Sequence, residues 1–177
     1  MACEGPVHFR RATTDDAAGI AQVHIEGWGR AHEELVPEAY IKCKAESKGR
    51  EDFWREELEV QAADRKPWVA LADEQIIGFA DGGIARDDDL DSGTGEVYTL
   101  FVTPECWEKG IRSGLVQHVA RDLAQHDFQR AVFWVLESES AMRAFAEYTG
   151  WRHDGATRAE DSGGVQVAEI RFAKDLL

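Results

Sequence analysis

Cysteine is scarce in this chain of 177 residues, and Cys3, Cys43 and Cys106 are odd in number and unrelated in spacing. No CxxC pair or Cys/His ligand pattern occurs, so the sequence predicts neither a disulfide framework nor a zinc site. Proline is scarce as well, at four residues, and there is no linker, repeat or low-complexity tract. No apolar run approaches the roughly 18 residues that a membrane-crossing helix needs. The opening 'MACEGPVHFRR' lacks the apolar core of a signal peptide. A reducing cytoplasm is the expected location, with no membrane partner. Positive charge is the last shortage: 20 Lys and Arg face 34 Asp and Glu, a net charge of −14. That field repels nucleic acid and anionic membranes and attracts a cationic small molecule; solubility alone is the simpler reason for it.

What remains suits one soluble domain spanning residues 1–177, because a hydrophobic fraction of 44% in a chain this long can bury a proper core. 'VHFRRA' (7–12) alternates like a strand, and Thr13 or Thr14 can cap the helix after it. In that helix Ala17, Ile20, Ala21, His24, Ile25 and Trp28 share one face. Pro37 opens a second helical piece and residues 50–60 read as a third. 'WVALA' (68–72) and 'IIGFADGGIA' (76–85) form a hairpin turning at Asp73 and Glu74. A polar loop (87–95) leads to the strand 'EVYTLFV' (96–102), which Pro104 closes. 'AVFWVLE' (131–137) is a continuous apolar run, expected of a central strand covered on both faces. A short helix over about 140–149 ends at Gly150, and 165–174 is the last strand. This order is that of an α/β domain on a mixed sheet.

The stretch that carries chemistry is 'CWEKGIRSGLVQHVARDL' (106–123). A tight turn and one glycine open directly into a helix whose Ile111, Leu115, Val119 and Leu123 mark a buried side. Free amide N–H groups and the helix dipole at such a start form an anion site.

With 'EVYTLFVTPECWEKGIRSGLVQHV' followed by 'AVFWVLESESAMRAFAEYTGWRHDG', the chain resembles the GNAT superfamily of acetyl-CoA-dependent N-acetyltransferases over nearly its whole length. The resemblance implies a mixed, mostly antiparallel sheet with a splayed parallel strand pair and helices on both faces. It implies acetyl-CoA as co-substrate, a small amine as acceptor and a possible homodimer. Leu100, Phe101 and Val102 would offer backbone groups to the pantetheine arm. Glu108, Lys109, Gly110, Ile111, Arg112 and Ser113 would hold the pyrophosphate. The family pattern there is Gln or Arg, two residues, Gly, one residue, then Gly or Ala; this chain keeps only Gly110. Arg112 either replaces the lost glycine with a side-chain contact or fills the space the phosphates need. Glu139 stands where relatives carry an Asn touching the pantetheine, and Ala146 where they often carry a general-acid Tyr. If the ring fits, Ala146→Tyr is expected to preserve or raise turnover. The alternative is a non-catalytic member with a decayed cofactor site, acting as a binding or assembly module.

Acetyl transfer needs a proton acceptor for the amine and help for the departing thiolate. Glu96, at the head of the splayed strand, is the candidate base, with a strand-end surface charge as the plain alternative. Tyr98, on the same face, is placed to orient the amine or protonate sulfur, although packing is its simpler duty. Tyr148 and His24 read as core residues, and His32, His118 and His126 as surface ones. Trp28, Trp54 and Trp68 are possible acceptor-pocket walls. 'DDDLDSG' fails as a calcium loop, because Ser92 replaces the required glycine and Tyr98 the twelfth-position Glu. No metal is expected.

Overall fold

The computed structural model describes residues 5–38, 41, 47–62, 65–161 and 164–176. Among these residues seven strands form one sheet: β1 (Val7–Arg11), β2 (Trp68–Ala72), β3 (Gln75–Ile84), β4 (Thr94–Val102), β5 (Arg130–Leu136), β6 (Arg152–Asp161) and β7 (Gln166–Asp175). Their order is β1-β2-β3-β4-β5-β7-β6. Every pairing is antiparallel except β4 with β5. Helices α1 (Ala17–His32) and α2 (Ser47–Val60) cover one face, where Ile20, Val23, Trp54 and Leu58 pack with Val69 and Phe79. Helices α3 (Ile111–Gln125) and α4 (Ser140–Tyr148) cover the other, where Leu115, Val119 and Met142 join Ile77, Val97 and Phe133. The helical piece expected from Pro37 falls largely outside the described residues.

The α1 entry shows why the chain turns where it does. Thr13 and Asp16 make a capping box around the 3-10 turn Thr14–Asp16. Asp16, itself buried, also accepts two hydrogen bonds from the Arg10 guanidinium, at 2.6 and 2.9 Å. Burial pushes this carboxyl up, but the Arg10 and Thr13 hydrogen bonds outweigh it and hold the group below the usual aspartate range. A depressed folded pKa means stability that is present at neutral pH and lost as the pH falls below about 4. Asp16→Asn should therefore cost about 1–2 kcal/mol at pH 7. Urea unfolding should show that deficit shrinking in acid.

Three expectations are corrected. Tyr148 is 91% exposed rather than core; it ends the solvent face of α4 that also carries the exposed Ala141 and Ala144. Residues 152–161, read from the sequence as no element, form the edge strand β6. Cys106 is buried and disulfide-bonded, against the expectation that the chain has no disulfide. The unpaired cysteines that favoured a reducing compartment therefore no longer do so. Among the described residues no helix is long and apolar enough to cross a membrane.

Candidate active site

The central strands part company inside the sheet. β4 and β5 pair only at Thr94 with Arg130, Gly95 with Ala131 and Glu96 with Val132. Beyond these the strands run on to Val102 and Leu136 with no ladder between them. Leu100, Phe101 and Val102, the expected pantetheine strand, all lie in that open part. β4 also bulges against β3: Asp81 pairs with Thr99 and Gly82 with Val97, so Tyr98 is the extra residue.

At the mouth of the splay the chain passes through a 3-10 segment, Pro104–Lys109, into α3. Gly110 makes the junction at φ 70 and ψ 9, a left-handed conformation that glycine adopts without strain. Among the described residues no side chain caps α3; the N–H groups of Ile111, Arg112 and Ser113, in its first turn, have no intrahelical partner and offer an anion cradle. The side chains of Glu108 and Lys109 lie outside the described residues. Trp107 donates its indole N–H to the Val102 carbonyl at 2.7 Å, and the Arg112 guanidinium lies 4.7 Å over its ring. Arg112 and Glu139 act on one another from the starts of α3 and α4. Burial lowers the Arg112 pKa and Glu139 opposes the shift. Burial raises that of Glu139 and Arg112 opposes it.

On the α1–α2 face the structure brings Glu96 and Tyr98 together around Arg86. Glu96 is only 2% exposed. Its Oε2 accepts the Arg86 backbone N–H at 3.0 Å and Nε–H at 3.2 Å, and its Oε1 accepts a further guanidinium N–H at 2.8 Å. The same guanidinium lies 4.1 Å over the Tyr98 ring, and the Tyr98 hydroxyl donates to the Ile84 carbonyl at 2.6 Å. Burial raises the Tyr98 pKa.

Of the three tryptophans, only Trp28 stays a candidate wall: it is half-buried and stacks on His32 at 4.2 Å. Trp54 is core and donates to His24 Nδ1 at 3.1 Å, while Trp68 lies under α3, stacked on His118. His24 is held in the core by that bond and by Phe101, 5.1 Å away; burial pushes its pKa down to about 4, so it is neutral. His32 and His118 are thus stacked and partly buried rather than plain surface residues. Asp87 and Asp89 of the failed calcium motif bind Arg171. Sequence reading missed Asp81 and Thr99, whose only signal was a polar residue inside each apolar strand. It also missed Trp134, which lies under the Arg158 guanidinium at 4.2 Å.

Residues 14–151 match the model of the acetyltransferase (GNAT) family, and the chain belongs to that family. It is an N-acetyltransferase of the GNAT type. It is 27% identical over 169 residues to an uncharacterized N-acetyltransferase, YuaI, of Bacillus subtilis, spanning 93% of this chain and 90% of the relative. The fold is shared with the PaiA N-acetyltransferase of Thermoplasma acidophilum in complex with coenzyme A. That structure is 18% identical with a TM-score of 0.72, covering 93% of this chain and 98% of the other. It is also shared with yncA of Salmonella typhimurium holding acetyl-CoA, 15% identical with a TM-score of 0.73, covering 98% and 95%.

Proposed function

We propose that this protein moves an acetyl group from acetyl-CoA to the amine of a small, cationic acceptor. The observation that carries the reading is the break in the β4–β5 ladder beside the uncapped start of α3. Backbone groups of residues 97–102 are left for a thioester-bearing arm, and the N–H groups of residues 111–113 for its phosphates. Acetyl-CoA supplies the activated acetyl group; the protein holds it beside the α1–α2 face. The net charge of −14 favours a cationic acceptor over an anionic one. A decayed, cofactor-free module is not supported, since splay, left-handed Gly110 and free helix start are all retained. Calorimetric titration with acetyl-CoA, followed by thiol release across a panel of amines, tests the reading; absence of both signals would defeat it.

Arg112 and Glu139 flank the entrance with opposite charge, so their removal should move cofactor affinity in opposite directions. Arg112→Gly should weaken acetyl-CoA binding about three- to tenfold, most clearly at low salt, and Glu139→Asn should tighten it by a similar factor. Tighter binding by Arg112→Gly would show instead that the arginine obstructs the phosphates.

A further inference from the structure

We propose that Asp81, not Glu96, accepts the proton of the acceptor amine, and that the Thr99 hydroxyl holds the same nitrogen. The inference rests on the acetyl-transfer reading given above. Asp81 and Thr99 are direct cross-strand partners beside the bulge, on the part of β4 that has already left β5. Along β3, Phe79 packs under α1 and α2 while Ala80 packs under α3. Alternation therefore sends Asp81 to the α1–α2 side. Thr99, following the same alternation from Phe101, projects with it.

Both groups have unspent capacity. Asp81 Oδ1 accepts the Gly82 N–H at 2.9 Å, and among the described residues Oδ2 has no partner. The Thr99 hydroxyl is buried and likewise has none among the described residues. A buried hydroxyl without a hydrogen bond beside a half-satisfied carboxylate costs stability, and such groups call for a ligand. An ammonium, with three donors and no acceptor, satisfies the carboxylate and the hydroxyl oxygen together. Glu96 is less available, because it is 2% exposed and Arg86 already gives it three hydrogen bonds.

The charge environment suits the task. Burial pushes the Asp81 carboxyl up to about 6; Glu57 of α2 adds to this, and the Gly82 N–H, Arg86 and Arg11 of β1 oppose it. Tyr98 and Glu96 of β4 belong to the same neighbourhood. At neutral pH the group is ionised yet basic enough to take a proton.

In the step, the ammonium gives one proton to Asp81 Oδ2. The freed nitrogen lone pair forms the C–N bond at the acetyl carbonyl, and the C–S bond breaks with its electrons on sulfur. The nitrogen's surplus proton passes through water to the thiolate, and Asp81 returns its proton to solvent.

The test uses the whole protein, acetyl-CoA and a panel of spermidine, putrescine, tyramine, glucosamine and lysine amide. Thiol release is followed from pH 5 to 9 with the amine that reacts fastest. Asp81→Asn should lower kcat/KM at least about a hundredfold and abolish the acidic limb near pH 6. Acetyl-CoA affinity by calorimetry should stay within about twofold. Thr99→Val should raise KM more than it lowers kcat, and Glu96→Gln should keep the limb. Asp81→Asn with near-wild-type rate and an intact limb would overturn this inference alone. Wild-type protein that binds acetyl-CoA but acetylates no amine would overturn the parent reading and this step with it.

Discussion

Arg171→Met should lower stability by about 3 kcal/mol, read as a fall in the urea midpoint with little change in slope. Arg171 is 4% exposed, on the face of β7 beside Trp134. It donates to Asp87 and Asp154 at 2.9 Å each and to Asp89 at 2.8 and 2.6 Å. These hydrogen bonds raise its pKa still further, so the charge is permanent. Methionine conserves much of the volume but leaves the carboxylates with no central cation. Arg130 stands 3.7 Å from Asp154 and Arg158 4.0 Å from Asp87. These second partners keep the loss at the lower end of the range for a broken buried ion pair. A larger consequence is expected in the β3–β4 loop, which Asp87 and Asp89 tie to β7. Loosening it also frees Arg86 and with it the Glu96 carboxylate. A variant as stable as wild type would mean that the loop is held by other contacts.

Ala146→Tyr is expected to destabilise the protein by about 3 kcal/mol or more, a fall in Tm of roughly 6–12 °C. The expectation that a tyrosine here would preserve or raise turnover required that the ring fit, and the full burial of Ala146 speaks against that condition. Ala146 is 0% exposed within the core that includes Met142, Phe133 and Trp151. Its carbonyl accepts the Trp151 N–H at 2.9 Å, which fixes the end of α4 against β6. A phenol ring placed at this fully buried position must displace part of that packing. The position is therefore a packing site in this chain, and no acid is recovered by restoring the tyrosine. Thermal unfolding of the purified variant checks the claim; an unchanged Tm with faster thiol release would restore the original view.

Strands with a buried face were legible in the sequence, and so was the turn into α3. The four-residue recurrence through Leu115 and Val119 and the apolar run from Ala131 to Leu136 each write their burial into composition. The hairpin turn was also readable, although Asp73 and Glu74 take positive φ without being glycine. β6 was not, because nearly every one of its residues is exposed. An edge strand with no face against the core has no hydrophobic period to detect. The bulge at Tyr98 was equally hidden. Strand alternation put Glu96 and Tyr98 on one face correctly, but the extra residue brought Thr99 there as well. Partnership was the other silent quantity: Glu96 was chosen for its place on the strand, and only three-dimensional contact revealed Arg86 around it.

On the proposed reading, the opening between β4 and β5 makes the folded state a matter of supply. A ligand seated there and bound only by the folded chain adds RT ln(1 + [L]/Kd) to stability, about 2.7 kcal/mol when it is a hundredfold above its Kd. Reacted and unreacted coenzyme share the phosphates and the arm, so either would act as the missing rung of the sheet. The lifetime of this protein in a cell would then follow the size of the coenzyme A pool. An enzyme made during plenty would become, under scarcity, a better substrate for proteolysis.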